Sequence, residues 1–109
     1  DARALFYNID MMEEAGIDPS ELDPANGPIS LARLGEIAAQ LDQQNDQGNY
    51  TRMGFIPWHE QGWHYGFGFS FGGDFYDEAA CQVTPTDENI VAAFQYIYDY
   101  AAEKGPQQV

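Results

Sequence analysis

The chain has 109 residues, which is enough for one small domain with one hydrophobic core. Acidic side chains outnumber basic ones 18 to 4, and the net charge of −14 argues against nucleic acid and against an anionic membrane surface as partners. Hydrophobic residues make up 44% of the chain, so we expect a folded protein and not a disordered one.

The cysteine content, the apolar runs and the first residues of the chain exclude some kinds of site and segment. Cys81 is the only cysteine, which excludes an internal disulfide and a cysteine-rich zinc site. No apolar run approaches the ~20 residues of a membrane-spanning helix. The chain opens with DARALFYNIDMM, which has neither an initiating Met nor a basic start, so we expect a processed or excised piece.

Short elements are predicted in the first thirty residues. The apolar run from Ala2 to Tyr7 has the composition of a strand. Asn8 can cap a short helix that Gly16 ends, and Ile17 can pack back on its last turn. Two Asp-Pro pairs then frame a loop that runs to Pro28.

An amphipathic helix and several weaker elements follow. Ser30 can cap a helix from about Leu31 to Gln43, because apolar residues recur three and four positions apart there. The polar run DQQNDQGN is a turn whose spacing does not fit a calcium loop. Tyr50 to Pro57 has the composition of a strand, and Gln61 to Phe71 can form a helix that Gly72-Gly73 breaks.

The last element is the clearest helix of the sequence. Thr86 is its predicted N-cap, Lys104 lies at its C-terminal end and Gly105 ends it. A stripe with helical spacing is predicted to be buried: Ile90, Val91, Phe94, Ile97, Tyr98 and Ala101.

The stretch from Pro57 to Asp77 (PWHEQGWHYGFGFSFGGDFYD) holds both tryptophans and both histidines of the chain. Aromatic faces beside a few polar groups suit an amphipathic, ring-shaped ligand such as a sugar. Trp58 and Trp63 can stack on a sugar ring, while His59 and Glu60 can exchange hydrogen bonds with its hydroxyls. An aromatic core with closely packed glycines is the alternative interpretation.

Other chemistry has weaker support in the sequence. His59 and His64 are five positions apart, whereas a zinc-binding helix needs a spacing of four, so no metal and no cofactor is predicted. Hydrolysis of a glycoside by Glu60 with Asp74 or Asp77 stays open as the alternative function, since a glycosidase needs two carboxylates.

The order of these segments resembles a known family. It runs through ALFYNIDMMEEAGIDP, a proline-containing loop, SLARLGEIAAQL, GNYTRMGFIP, the aromatic stretch, FGGDFYD and TPTDENIVAAFQYIYDYAAEKG. Over roughly residues 3 to 105 this is similar to the extracellular solute-binding proteins of ABC sugar importers, the maltose-binding-protein-like group. The resemblance implies a chain that is mainly α with a few short strands, derived from an α/β fold. Residues 1–109 would be a single domain, a partial C-terminal lobe of a two-lobed, type II periplasmic-binding-protein-like fold.

The same resemblance implies a non-catalytic function. The segment before the Gly-Gly pair lines the ligand cleft in this family, which by position implicates Trp58, His59, Glu60 and Trp63 in binding a sugar or oligosaccharide. Gly72 and Gly73 would be structural. The implied partner is the membrane permease of the importer, and the implied location is outside the cytoplasm, with a lipid anchor in the full-length protein. Because a lone partial lobe exposes apolar surface, we also expect a homodimer.

Overall fold

The computed structural model describes residues 4–57 and 64–105, which divide into two compact units, one up to Phe55 and one from Ile56 onward. The N-terminal unit contains α1 (Ile9–Glu14), the 3₁₀ turns Pro19–Leu22 and Pro24–Asn26, α2 (Leu31–Leu41), β1 (Gln43–Gln44) and β2 (Tyr50–Arg52). The C-terminal unit contains α3 (His64–Ser70), β3 (Tyr76–Asp77), β4 (Gln82–Val83) and α4 (Glu88–Lys104). The prediction that residues 1–109 form one domain stays a prediction.

Helix α1 begins and ends as its sequence predicts. The Asn8 side chain accepts a hydrogen bond from the Met11 amide at 3.0 Å, which satisfies one of the free donors of the first turn. Gly16 has a φ of +73°, and the amide of Ile17 donates to the carbonyl of Met12 at 2.9 Å. This is the Schellman arrangement, in which the apolar residue after the glycine packs back on the helix. The side chains of Met12 and Ile17 are accordingly both buried.

The predicted strand before α1 is wrong for the residues that the structure describes. Residues 4–8 form neither helix nor strand. A strand needs a neighbour to pair its backbone groups, and strand-forming composition alone does not supply one.

The loop after α1 is held to α2 by an ion pair. Asp18 and Asp23 each cap a 3₁₀ turn with a side-chain oxygen, which accepts from the amides of Ser20 and Ala25 respectively. Arg33 of α2 donates from Nε and Nη2 to the two carboxylate oxygens of Glu21 in the first of these turns, at 2.8 and 3.0 Å. This two-pronged geometry fixes the loop against the helix surface.

Helix α2 starts at the predicted cap and stops before the predicted end. The Ser30 hydroxyl accepts from the Arg33 amide at 3.1 Å. The helix ends at Leu41, because Gln43 pairs with Arg52 in the antiparallel β1–β2 ladder and so cannot continue the helix. The apolar face of α2 buries Ile37 beside Met12 and Ile17, and these form the core of the unit with Leu22, Ile29 and Leu41 around them.

The backbone just after strand β2 lies very close to the backbone of α2. The predicted strand from Tyr50 to Pro57 shortens to Tyr50–Arg52. Just beyond it, Gly54 donates its amide to Asp42 Oδ1 at 2.8 Å. A Cβ on Gly54 would lie against the carbonyl oxygen of Ala38 and 2.6 Å from its Cα, so only glycine fits against α2 at this point.

In the C-terminal unit, α3 packs on α4, and the strands β3 and β4 form an antiparallel hairpin between them in sequence. The N-cap of α4 is Asp87 and not Thr86, because the Asp87 carboxylate accepts from the amides of Asn89 and Ile90. A carboxylate one residue later satisfies the same donors and also suits the positive end of the helix dipole. Gly105 ends the helix as predicted, with a φ of +74°.

The buried face of α4 is rotated from the predicted stripe. Ile90 is buried as predicted, but the other fully buried positions are Ala93, Tyr100 and Lys104. Lys104 lies with its ammonium 5.4 Å from the centre of the Tyr100 ring. Three members of the predicted stripe are exposed instead, namely Val91, Phe94 and Tyr98. Apolar residues therefore lie on two sides of α4, and only the side that packs against the α3 rings is buried.

Candidate functional site

The predicted ligand-binding residues Trp58, His59, Glu60 and Trp63 lie outside the described residues. The structure does describe the segment that follows them directly, which is α3, and the cluster of aromatic rings that α3 builds. The description of the candidate site therefore concerns α3 and the rings around it, which follow the predicted contact residues in the chain.

Helix α3 presents two aromatic faces. Tyr65 and Phe69, four residues apart, are both exposed and meet edge to face with ring centroids 6.5 Å apart. Phe69 also meets Phe75 edge to face at 5.1 Å. A helix places residues i and i+4 on the same side, so these rings form one solvent-facing aromatic surface. Exposed aromatic surface of this kind can stack on the apolar face of a ring-shaped ligand.

The opposite face of α3 is used for packing. Phe67 stacks on Tyr96 of α4 with ring centroids 6.0 Å apart, and Phe71 meets the same ring at 6.0 Å. Tyr96 in turn lies 6.2 Å from the ring of Tyr100. Among the described aromatic residues from 65 to 71, Tyr65 and Phe69 are therefore exposed, while Phe67 and Phe71 pack on α4.

The hydroxyl of Tyr96 is buried in this packing. Among the residues that the structure describes, no group donates to it or accepts from it. Burial disfavours the charged phenolate and raises the pKa of Tyr96 above its ordinary value.

Two glycines in the stretch are required by packing. A Cβ on Gly68 would lie 2.6 Å from Cζ of Phe75, and one on Gly73 would lie 2.6 Å from Cγ1 of Ile90. Gly72 has a φ of +81°, a backbone conformation that other residues rarely adopt. Gly72 and Gly73 therefore turn the chain sharply from α3 into the hairpin, which agrees with the structural role predicted for them.

Two of the three carboxylates of the alternative function border an acidic cavity of about 500 Å³ beside the β3–β4 hairpin, and the third, Glu60, lies outside the described residues. Asp74 and Asp77 both line it. Asp77 Oδ1 accepts from the amides of Ala79 and Ala80, each at 2.9 Å, so this oxygen holds the hairpin turn. Across residues 4–57 and 64–105, the structure brings together no group of His, Cys, Asp and Glu side chains suited to a metal ion.

A second, apolar cavity of about 270 Å³ lies in the N-terminal unit. It is lined by residues 5–8, by the apolar faces of α1 and α2, and by residues 52–55. Its only charged lining residue is Arg52, whose Nε donates to the carbonyl of Leu41 at 2.7 Å. In the described part of the chain, no helix is both long and apolar enough to span a membrane.

Comparison with known proteins found similar solved structures. The chain is similar to CpMnBP1 with mannobiose bound, at 27% identity and a TM-score of 0.71, and to CpMnBP1 with mannotriose bound, at 26% identity and a TM-score of 0.72. Each match covers 94% of this chain but only 24% and 25% of the matched chain, so the sequence spans about a quarter of those structures. No protein-family model matches the chain, and no curated protein matches it.

These matches bear on the predicted fold class. The chain is mainly α with a few short strands, and it corresponds to part of a larger protein that holds a bound sugar, so the predicted partial lobe is confirmed.

Tyr65 and Phe69 are not among the residues predicted from the sequence to contact a ligand, although both are exposed. Phe67, which lies between them in the chain, packs on Tyr96 instead. The i, i+4 spacing of Tyr65 and Phe69 was the signal that could have revealed the second aromatic face.

Proposed function

We propose that this chain is part of a carbohydrate-binding protein that takes a sugar or oligosaccharide without chemical conversion. The observation that carries the proposal is the match over 94% of the chain to a protein with mannobiose and mannotriose bound. The exposed aromatic pair on α3 adds to it, since Tyr65 and Phe69 directly follow the aromatic segment predicted to contact the ligand.

The proposed contacts follow from the chemistry of the side chains. Trp58 and Trp63 stack on the C–H faces of sugar rings, and His59 and Glu60 exchange hydrogen bonds with hydroxyl groups. Mannose disaccharides and trisaccharides are the first ligands to test, because they occupy the matched structures. In this mechanism two lobes close on the sugar, and closure is a population shift produced by contacts to both lobes.

The wider setting is also a proposal. We place the full-length protein outside the cytoplasm, lipid-anchored, as the substrate-binding component of an ABC sugar importer whose partner is the membrane permease. The support is the resemblance in segment order over residues 3 to 105.

The experiment uses the tryptophans as internal probes. Both tryptophans of the chain fall in the proposed site, so fluorescence excited at 295 nm reports that site alone in the 109-residue chain. Because this chain supplies part of one lobe, we expect mannobiose and mannotriose to bind it weakly or not at all. Calorimetry is the parallel measurement. A micromolar Kd for the isolated chain would contradict the expectation that this part of one lobe binds sugar weakly or not at all.

The polypeptide encoded by the complete gene is the second arm. There we expect calorimetry to show binding, which Trp63→Ala weakens about tenfold or more through the loss of one stacking platform. Trp58→Ala should act in the same direction. Tyr98→Ala is the control, since Tyr98 is exposed on α4 and has no proposed ligand contact. Failure of the complete protein to bind any of a panel of mannose, glucose and xylose oligosaccharides would contradict the proposal.

Turnover separates binding from hydrolysis. The proposed function gives Glu60, Asp74 and Asp77 no chemical step, and Asp77 already holds the hairpin turn. Incubation with chromogenic mannosides should release no dye. Release that Glu60→Gln abolishes would favour the hydrolase instead.

We further propose that the isolated chain forms a homodimer through its exposed apolar surface. Large side chains exposed in both units supply that surface, for example Phe6 and Val83. The net charge of −14 opposes association, so the dimer should be favoured by salt. Sedimentation at low and high ionic strength tests this, and a clean monomer at high concentration and high salt would refute it.

A further inference from the structure

The loop between α1 and α2 contains an Asn-Gly pair at Asn26 and Gly27. Of the asparagines in the chain, only Asn26 precedes a glycine. Both residues are exposed, and a Cβ on Gly27 would meet no atom within 4 Å, so the backbone here is open to water and to base. An amide nitrogen without a neighbouring side chain is the nucleophile best able to attack the side-chain carbonyl of the preceding asparagine.

Hydrogen bonds hold both reacting groups away from each other. The Gly27 amide, which is the nucleophile once it loses its proton, donates to the carbonyl of Pro24 at 3.2 Å. The side-chain nitrogen of Asn26, which is the leaving group, donates to the carbonyl of Ser20 at 2.9 Å. The Asn26 amide donates to the carbonyl of Asp23 at 2.9 Å, which places Asn26 inside the second 3₁₀ turn. Attack on the side chain therefore requires that this turn opens first.

We propose that Asn26 is a site of spontaneous deamidation, at a rate set by opening of the 3₁₀ turn Pro24–Asn26. In the open turn, the deprotonated Gly27 nitrogen forms a bond to Cγ of Asn26, the bond from Cγ to Nδ2 breaks, and ammonia leaves with a proton taken from water. Water then opens the cyclic succinimide at either of its carbonyls and leaves an aspartate or an isoaspartate. The net reaction consumes one water, releases one ammonia and needs no enzyme, oxidant or cofactor.

The product no longer makes the bond that ties the two 3₁₀ turns together. Asn26 holds Ser20 of the first turn through its side-chain nitrogen, and an aspartate has only oxygens to offer to the same carbonyl. The new carboxylate also adds a negative charge to a chain of net charge −14, in a loop that already contains Asp18 and Asp23. Deamidation is thus a one-way change that loosens this loop.

Deamidation rates in the folded and the unfolded protein test the proposal. The polypeptide encoded by the complete gene is incubated at mildly alkaline pH with and without guanidinium chloride and is then cleaved after arginine. Cleavage releases residues 4–33, a peptide that contains Asn8 as well as Asn26, and fragmentation in the mass spectrometer separates the two. Because the reaction requires opening, Asn26 should react at least about tenfold more slowly in the folded protein than in guanidinium chloride. In both states it should react faster than Asn8, since the branched side chain of Ile9 hinders attack.

A pair of variants changes the opening of the turn without touching the reacting residues. Asp23 Oδ1 accepts from the Ala25 amide at 2.8 Å and caps the turn, so Asp23→Ala should speed deamidation of Asn26 in the folded protein about three- to tenfold. In guanidinium chloride the variant and the parent should react at the same rate. Asp46→Ala is the matched control with the same change of charge, because Asp46 is exposed at the turn between β1 and β2. It should leave the rate at Asn26 unchanged in both states.

A second pair of variants tests the loosening of the loop. Asn26→Asp reproduces the product and should speed deuterium exchange of the Gly27 amide about threefold or more, because the bond to Ser20 is lost. Asn45→Asp adds the same charge and is the matched control. Asn45 uses its side-chain oxygen, which accepts from two amides of the β1–β2 turn, and aspartate keeps that oxygen. Exchange at Gly27 should therefore stay at the parent rate in this control.

Three results would overturn the proposal. They are equal rates at Asn26 in the folded and unfolded protein, a rate at Asn26 that does not exceed the rate at Asn8, and a folded-state rate that Asp23→Ala leaves unchanged. Equal effects of Asn26→Asp and Asn45→Asp on exchange at Gly27 would refute the loosening of the loop. No sugar is present at any step, so failure of the proposed function leaves these outcomes unaffected.

Discussion

Phe67 of α3 lies nearly parallel to Tyr96 of α4, with ring centroids 6.0 Å apart and ring planes 28° apart. Together with Phe71 on the same tyrosine, this stack is how α3 is held to α4. The rings of Phe67, Phe71 and Tyr100 surround the Tyr96 ring and fix its position, and in that position its hydroxyl is buried.

Removing the buried hydroxyl should not weaken the fold. The Tyr96 oxygen lost its water on folding and gained no partner among the described residues, so Tyr96→Phe should raise the free energy of unfolding by about 0.5–1 kcal/mol. Urea denaturation measures this change. Tyr98→Phe is the matched control, because Tyr98 is 69% exposed and its hydroxyl stays hydrated in both states. A loss of stability in Tyr96→Phe would reveal a hydrogen-bond partner for the oxygen.

The same residue predicts an alkaline effect on stability. Burial raises the pKa of Tyr96 in the folded state above its ordinary value of 10.0, so the unfolded chain loses this proton first as the pH rises. Stability is therefore unaffected by this group below about pH 9 and falls as the pH passes through the unfolded and then the folded pKa. Urea unfolding between pH 8 and 11 should show the stability difference between Tyr96→Phe and the parent growing with pH. A constant difference would mean that the pKa is not raised.

Two glycines of one helix should respond in opposite directions to alanine. At Gly68 a Cβ would meet the Phe75 ring, so Gly68→Ala should lower the free energy of unfolding by about 1–3 kcal/mol. At Gly66, two residues earlier in α3, a Cβ would meet open space, and alanine should raise stability by about 0.5–1 kcal/mol through helix propensity. Chemical denaturation of both variants is the measurement. Changes of the same sign would contradict the described packing of Phe75 on Gly68.

The Arg33–Glu21 pair predicts a loss of stability in acid. Hydrogen bonds from the Arg33 guanidinium lower the pKa of the Glu21 carboxyl, so this contribution is present above the unfolded-state pKa and is lost as the pH falls through the folded-state pKa. Glu21→Gln should be less stable than the parent at pH 7, and the difference should shrink as the pH is lowered toward 3. Glu13→Gln in α1 is the control, since Glu13 is exposed and makes no ion pair among the described residues. An equal difference at pH 7 and pH 3 would exclude the ionic contribution.

Local signals in the sequence predicted the helix ends well. Asn8, Ser30, Gly16 and Gly105 act through hydrogen bonds and backbone conformations within a few residues, so their effect does not depend on distant parts of the chain. The cap of α4 differed by one residue because Thr86 and Asp87 are both competent, and only the observed bonds of Asp87 decide between them.

Features that depend on a distant partner were predicted poorly. On α4, Val91 and Tyr98 share helical spacing with Ile90, and nothing local shows that the α3 rings cover a different face. The strand predicted before α1 failed for the same reason, because a strand is defined by its neighbour. At the candidate site, Phe67 and Phe71 pack on Tyr96 while Phe69 between them is exposed, a split that composition alone does not show. The predicted ligand contacts stay predictions, since they fall on residues 58–63.

The tight approach of Gly54 to α2, and of Gly68 and Gly73 to their neighbours, has a use in tracing ancestry. At these three positions a methyl group has no room, although the backbone lies outside the left-handed region that usually demands glycine. Their spacing of 14 and then 5 residues is therefore a fingerprint that should last as long as large side chains occupy positions 75 and 90 and the backbone of α2 faces position 54. Distant relatives too divergent for whole-chain comparison can be sought by these three glycines, with the aromatic that faces position 68 as the fourth mark.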